Sequence, residues 1–176
     1  MKAFNIYNDI AERTDGDIYI GVVGPVKTGK STFIKLLLGI YVPDSGNIYV
    51  NGHDHTRDME RYRIHFATVF QDYAKYDMTV RENIGIGNMN NMTDNDRLIK
   101  VLEKVQLSKK LPNLDLQLGR LFSGGMDLSE GQWQRIAIAR ALIKQPSILI
   151  LDEALSSVDS QNEFLIQEAL DRLMVG

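Results

Sequence analysis

A segment near the start of the chain has the residue types and spacing of a phosphate-binding loop. It reads Gly24, Pro25, Val26, Lys27, Thr28, Gly29, Lys30 and Ser31. This order fits the pattern G-x-x-x-x-G-K-[ST], in which backbone N–H groups surround a phosphate at the start of a helix. Lys30 is suited to reach the β- and γ-phosphates of a nucleotide, and the Ser31 hydroxyl to ligate Mg²⁺. The pattern predicts a nucleotide site from Gly24 to Thr32.

Two adjacent carboxylates follow an apolar run late in the chain. Residues 147–151 read Ser-Ile-Leu-Ile-Leu, and Asp152 and Glu153 come next. A buried parallel strand would deliver both carboxylates to the sheet edge at which ligands bind. Asp152 is suited to hold Mg²⁺, and Glu153 to polarise an attacking water as a general base. The alternative is an ordinary acidic strand end, which the presence of a phosphate loop disfavours.

A third motif, Leu-Ser-Glu-Gly-Gln at residues 128–132, allows two interpretations. Ser129 and Gln132 have the spacing of a capping box that opens a helix from Trp133 to Lys144. A capped helix start that carries a glycine, here Gly131, is also an anion site, because its unpaired N–H groups face outward. The motif alone leaves both interpretations open.

Apolar periodicity indicates the elements that must position these groups. Residues 18–23 form a continuous apolar run that predicts a buried strand leading into the loop. Residues 31–38 have helical spacing, with Gly39 where a C-terminal cap is expected. Residues 65–70 and 147–151 predict two further strands. The order strand, glycine loop, helix supplies the structural context that the phosphate-binding pattern requires.

Helical spacing dominates from about residue 73 to residue 134, with Thr93 predicted as a helix cap three residues before Asp96. We therefore expect an α/β fold in which a mainly parallel sheet carries an inserted helical subdomain. The predicted division is a core of residues 1–72 and 135–176 around the helical residues 73–134, all within one domain.

The composition of the 176-residue chain excludes several classes of function. Hydrophobic residues make up 44% and charged residues 24%, as in a soluble globular domain, and the net charge of −3 argues against general nucleic-acid binding. The chain has no cysteine and no apolar run of the roughly 20 residues that would span a bilayer. We expect a cytoplasmic protein without direct membrane insertion. Asn51-Gly52 predicts a turn. His53 and His55 lie beside this turn in a polar loop and are expected to be solvated, so no zinc site is predicted.

Five motifs resemble, in their order along the chain, those of the ATPase domains of ABC transporters. They are the Walker A loop at Gly24, the Q-loop residue Gln71, the signature at 128–132, the Walker B pair Asp152-Glu153, and the D-loop Ser-Ser-Val-Asp at 156–159. The resemblance covers residues 35–176 without a gap. Within it, residues 79–84 and 124–127 are most similar to exporter-type members.

The resemblance implies a P-loop NTPase (RecA-like) fold that binds ATP and Mg²⁺ and drives the transmembrane domain of an exporter from the inner face of the cell membrane. Two such domains pair head to tail, so Ser129 and Gly131 would contact the γ-phosphate held by a second ATP-binding domain. Gln132 and Asp159 would contribute to the same nucleotide site. Gln71 would take part in catalysis, sense Mg²⁺ and respond to the membrane domain.

The chain departs from the family pattern at three places. Glu130 stands where glycine is commonest in the signature, and its position in the first helical turn suits the helix dipole. The family's switch histidine would lie beyond Gly176, so we expect a C-terminally truncated domain that binds ATP better than it hydrolyses it. The adenine-stacking aromatic would fall at or before the first residue, which leaves Phe4 and Tyr7 as substitutes.

Residues 1 to about 35 resemble a second family, the spore-coat morphogenetic ATPase of sporulating bacteria (stage IV sporulation protein A). The similarity lies in residues 9–24 and 27–35, which places a junction near residues 31–35 and suggests a chimera. Two alternative functions follow: a nucleotide-dependent, self-assembling scaffold, or an inactive ATP-binding fragment.

Overall fold

A computed structural model describes residues 18–21, 29–50, 53–54, 56, 63–121 and 124–151. Within these ranges the strands are β1 (Ile18–Gly21), β2 (Tyr49–Val50), β3 (His53–Asp54), β4 (Phe66–Val69) and β5 (Ile148–Leu151). The α-helices are α1 (Lys30–Leu37), α2 (Val80–Gly85), α3 (Asn95–Lys104) and α4 (Glu130–Leu142), and a 3₁₀ turn spans Met89–Asn91. The strands and helices predicted around the phosphate loop are therefore present. Where the end of an element lies within the described residues, it differs from the predicted end by no more than three residues.

Three parallel strands form the described sheet in the order β1, β5, β4. Their short apolar sequences are typical of strands buried between two layers. Gly21 and Val69 both pair with Leu151, so the three strands end level with one another. All three carboxyl ends consequently lie along one edge of the sheet. Strands β2 and β3 form a separate antiparallel pair joined through residues 51–52, where a turn is predicted.

The central strand β5 separates two layers of apolar side chains. Ile150 belongs to a cluster with Ile34 and Leu38 of α1, whereas Leu149 belongs to the larger cluster that includes Ile136 of α4. Successive residues of a strand point to opposite faces, so this alternation places α1 on one face and α4 on the other. The α/β arrangement predicted from the sequence is confirmed.

The C-terminal end of α1 carries the glycine cap predicted from the sequence. Gly39 has φ 62°, a left-handed conformation that glycine adopts without penalty. Its N–H donates to the Leu36 carbonyl (2.9 Å), and the Ile40 N–H donates to the Lys35 carbonyl (2.8 Å). These two hydrogen bonds satisfy the last carbonyls of the helix and set where it stops.

The helical region contains α2, α3 and the start of α4, but residues 105–121 and 124–129 are not helical. Pro112 disfavours helix at Leu111, and Gly119 and Gly124 have positive φ, so the helical spacing predicted there is not realised. The cap of α3 is Asp94, whose carboxylate accepts the Arg97 N–H (3.0 Å). The predicted Thr93 cap is therefore wrong by one residue.

The helical region and one face of the sheet share a single large core. It contains buried side chains from α2, α3, α4 and the intervening loops, among them Ile84, Leu102, Leu118, Ile136 and Ile138. The sequence-based division at residue 134 falls inside α4, and it stays a proposal.

Replacing Ile84 by alanine tests this core. Ile84 is fully buried, so Ile84→Ala should lower the free energy of unfolding by about 3 kcal/mol, through lost burial and the cavity left behind. Ile86, two residues on and 42% exposed, is the matched control, for which the loss should stay below about 1 kcal/mol. Urea denaturation followed by circular dichroism measures both. Equal losses would show that α2 does not pack as described.

Candidate nucleotide-binding site

The sheet edge formed by the strand ends is where three of the segments predicted to carry site residues begin. β1 leads into the loop that begins at Gly24, β5 leads directly into Asp152, and Gln71 follows β4 by two residues. Because the register keeps the three strand ends level, these segments start side by side. This is the edge at which parallel α/β sheets bind ligands.

Several predicted site residues lie outside the described part of the chain. They are Gly24, Pro25, Val26, Lys27, Thr28, Asp152, Glu153 and Asp159. The roles of these residues stay predictions. The structure shows only where strands β1 and β5, which precede them, end.

The start of α1 has the features of a phosphate site in its described residues. Gly29 precedes the helix with φ 82°, and the first helical hydrogen bond runs from the Phe33 N–H to the Gly29 carbonyl (2.9 Å). Among the described residues no side chain caps this helix, and its first turn carries no acidic residue. The exposed residues Ser31 and Thr32 lie in that turn, as does Lys30. The first N–H groups of α1 are therefore available to an anion, and the helix dipole favours one.

The signature segment forms the capping box that its spacing predicts. The Ser129 hydroxyl accepts the Gln132 N–H (3.4 Å), and the Gln132 amide oxygen accepts the Ser129 N–H (3.0 Å). The helix consequently begins at Glu130 rather than at Trp133, and it ends at Leu142. The capped-helix interpretation is confirmed, and the anion-site interpretation stays a prediction alongside it.

A buried arginine supports the start of α4 from within. Arg135 donates to the carbonyl of Gly131 (3.4 Å) and to that of Gln106 (3.3 Å). Burial holds the pKa of Arg135 below its usual value. Since both acceptors are neutral carbonyls, the arginine places positive charge beneath the signature segment.

The carboxylate of Glu130 is turned toward the segment that follows Gln71. It accepts hydrogen bonds from the Lys75 ammonium and from the Tyr73 hydroxyl (2.7 Å). The bond from Lys75, followed by that from Tyr73, holds the pKa of Glu130 below its usual range. Burial, together with Glu130, raises the pKa of Tyr73. Glu130, which replaces the usual signature glycine, thus makes its side-chain contacts within its own protomer.

Gln71 is exposed just after β4, and the chain beyond it is tied to two helices. Arg140 of α4 donates to the Ala74 carbonyl (3.1 Å) and the Asn83 carbonyl (2.9 Å). The fully buried Asn83 amide donates to the carbonyls of Tyr76 (3.0 Å) and Met78 (3.1 Å). These polar contacts set the path of the chain between Gln71 and α2.

The residues that make these contacts were not identified from the sequence. Tyr73 and Lys75 are 57 and 55 positions from Glu130, so no local pattern joins them. Asn83 and Arg140 lie on separate helices, and in the sequence neither differs from an ordinary polar residue of a helix.

A cleft of about 760 Å³ opens beside Gln71, between β4 and α4. Its lining includes Phe70, Asp72, Tyr73, Arg140 and Lys144. Lys144 donates to the carbonyls of Phe66 (2.7 Å) and Arg63 (2.8 Å), so its ammonium is held at the wall of the cleft. The cleft therefore lies next to both the strand edge and the signature helix.

Two further features bear on cofactors and membranes. Among the described residues, no group of three or more histidine or carboxylate side chains is arranged to hold a metal ion. The predicted Mg²⁺ ligand Asp152 lies outside those residues, whereas Ser31 and Gln71 lie within them. In the same part of the chain, no helix has the length and apolar character required to cross a bilayer.

Comparison with known proteins identifies the family. The profile of the ABC transporter family matches residues 9–156. The chain belongs to the ABC transporter family. It is an ATP-binding domain of that family, with the P-loop NTPase fold predicted from its motifs.

Its relatives are exporters and transport ATPases. The chain is 42% identical over 145 residues to the subtilin transport ATP-binding protein SpaT of Bacillus subtilis, covering 80% of this chain and 24% of that protein. It is 40% identical over 179 residues to the mitochondrial ATP-binding cassette sub-family B member 10 of Mus musculus, covering 98% of this chain and 24% of that protein. A bacterial Atm1-family ABC exporter with ATP bound superposes with a TM-score of 0.74 at 29% identity, covering 90% of this chain and 28% of that chain.

The ABC domain thus spans about a quarter of the length of these relatives. The family match runs through residues 31–35, where the sequence suggested a junction with a spore-coat ATPase. The chimeric origin of the first 35 residues stays a prediction.

Removing the Ser129 hydroxyl tests the capping box. Ser129→Ala should lower the free energy of unfolding by about 1 kcal/mol, because the Gln132 N–H loses its acceptor at the start of α4. Ser108→Ala, in the turn after α3, is the control and should change stability by less than about 0.5 kcal/mol. Urea denaturation measures both, and an unchanged midpoint for Ser129→Ala would contradict the cap.

Proposed function

We propose that this domain is the nucleotide-binding subunit of an exporter-type ABC transporter, in which it binds MgATP and hydrolyses it. One observation carries the proposal: the level ends of β1, β5 and β4 bring the starts of the Walker A, Walker B and Q-loop segments to one edge, beside the uncapped start of α1. To bind ATP, this edge must supply N–H donors and a cation to the phosphates. To hydrolyse ATP, it must also supply a base to the attacking water.

On this proposal the loop from Gly24 to Thr32 holds the phosphates of ATP. The N–H groups at the start of α1 and the Lys30 ammonium face the β- and γ-phosphates. Ser31, Asp152 and Gln71 supply oxygen ligands for Mg²⁺, which would neutralise charge on the phosphates. The donor set is hard oxygen, the type that Mg²⁺ prefers.

Glu153 is the proposed general base, since it follows Asp152 at the end of the central strand. It would accept a proton from the water that attacks the γ-phosphate. Lys30 would stabilise the negative charge on the transferred group. Gln71, held at the edge by β4, would help to orient the water and the metal.

A second ATP-binding domain completes the proposed site. Ser129 and Gly131, with Gln132 and Asp159, would meet the γ-phosphate held by the partner in a head-to-tail dimer. The start of α4 supports this role, since the helix dipole and the buried Arg135 both favour an anion there. N–H groups in the first turn of a helix can donate hydrogen bonds to a phosphate.

The cleft beside Gln71 is the proposed contact with a transmembrane partner. Its floor is β4 and its wall is α4, so an inserted segment would touch the elements that carry Gln71 and the signature. Such a partner would place the domain at the inner face of the cell membrane. We propose the same division as the sequence suggested, with residues 73–134 as the helical subdomain that meets this partner.

On this proposal, ATP binding and ATP hydrolysis depend on different residues. Ground-state contacts to ATP come from the phosphate loop, whereas hydrolysis also needs groups that act in the transition state. Loss of a phosphate-loop contact should therefore abolish binding, whereas loss of the general base should abolish only turnover.

Substitution of Lys30 and Glu153 tests both halves of the proposal. MgATP at about 100 times its dissociation constant should raise the melting temperature of the parent by about 5 to 10 °C, because a ligand specific for the folded state stabilises it. Lys30→Ala should abolish that shift, while Glu153→Gln should keep it and lose hydrolysis. Differential scanning fluorimetry and phosphate release measure the two effects.

Lys35→Ala is the matched control, since Lys35 lies at the other end of α1. It should keep the parent's response to ATP. A parent protein without any ATP-dependent shift would refute nucleotide binding. Hydrolysis by Glu153→Gln at the parent rate would show that the assigned base is wrong.

A further inference from the structure

The signature segment carries a carboxylate where a phosphate is to be received. Glu130 lies between Ser129 and Gly131, and its side chain is 58% exposed. A free carboxylate at that point would repel the γ-phosphate of a partner-bound ATP. Whether the segment can receive an anion therefore depends on what holds the Glu130 side chain.

Two side chains from the segment after Gln71 hold it. The Lys75 ammonium contacts one carboxylate oxygen, and the Tyr73 hydroxyl lies 2.7 Å from the other and 3.0 Å from the Glu130 main-chain carbonyl. The Lys75 ammonium also lies 5.9 Å from the centre of the Tyr73 ring, so the two side chains form one unit. Glu130 is thus bound through both its side chain and its backbone.

The contacts of Tyr73 and Lys75 affect both the charge of Glu130 and the position of its side chain. Lys75 supplies one positive charge for the one negative charge of Glu130, which leaves the helix dipole and Arg135 to set the potential at the start of α4. The hydrogen bonds also join the first turn of α4 to a segment that begins two residues after Gln71. The first turn of α4 is thus tied by side chains to the segment that follows Gln71.

We propose that Tyr73 and Lys75 are positioning residues that neutralise Glu130 and hold it aside, so that the signature segment of this protomer can receive the γ-phosphate bound to a second copy. The inference rests on the proposed head-to-tail dimer. If the contact served only to stabilise the fold, removing Lys75 and removing the Glu130 carboxylate should have the same effect on dimerisation.

The experiment compares Lys75→Met with Glu130→Gln in the Glu153→Gln chain, which keeps ATP from being consumed. Sedimentation velocity gives the MgATP concentration at which half of the protein is dimeric. Lys75→Met exposes the carboxylate and should raise this concentration about three- to fivefold, the upper part of the range expected for exposed charge contacts. Glu130→Gln removes the repulsive charge and should leave the concentration equal to the parent's or lower.

The double variant Lys75→Met/Glu130→Gln should return to within about twofold of the parent, since the carboxylate is gone. Tyr73→Phe should raise the concentration less than Lys75→Met does. Lys109→Met, an exposed lysine on the loop after α3, is the charge-matched control and should behave as the parent. In every variant the thermal shift with MgATP should persist, because each protomer's own phosphate loop is intact.

Two results would overturn the inference: no effect of Lys75→Met, or an equal defect in Glu130→Gln. The failure of the proposed function is distinguishable, since the parent would then show no thermal shift or no dimer with MgATP. A titration of the monomer by NMR tests the contact itself. The pKa of Glu130 should rise toward its ordinary value in Lys75→Met, and an unchanged pKa would refute the anchoring role.

Discussion

The parallel pairing of β5 with β1 and β4 is the constraint on which the other features of the site depend. Leu149 and Ile150 are both buried, on opposite faces of the strand, against different clusters. A slip of one residue would exchange those faces and displace the segment that follows Leu151. The register that buries the core is thus the same register that brings the starts of three functional segments to one edge.

The signature helix obeys a related constraint. α4 is buried along most of its length, including Trp133, Ile136 and Ile138, so its direction is set by packing. Its N-cap Ser129 and its first residue Glu130 are nonetheless exposed, whereas Gly131 is buried. A rigid helix with an exposed start presents its N–H groups at a defined place.

Polar contacts, together with the packing of Tyr73 against the core, connect the Q-loop segment to the helices. Arg140 and Asn83 bind backbone carbonyls of residues 74–79, and Tyr73 and Lys75 bind Glu130. Hydrogen bonds are directional and can be exchanged without opening a cavity, unlike the contacts of a packed core. This segment is therefore the part of the described chain best suited to respond when a nucleotide or a partner binds.

The sequence by itself determined the family, the order of the main elements and the capping box at Ser129, because each depends on residue types at short spacing. Glycine at positive φ, apolar alternation and a serine three residues before a glutamine are local constraints, readable along the chain. Tertiary structure alone decided that Arg140 binds the carbonyls of Ala74 and Asn83, and that Glu130 binds Tyr73 and Lys75. Those outcomes depend on which distant segments the packed core brings together, and a pair separated by 55 residues has no signature in local spacing.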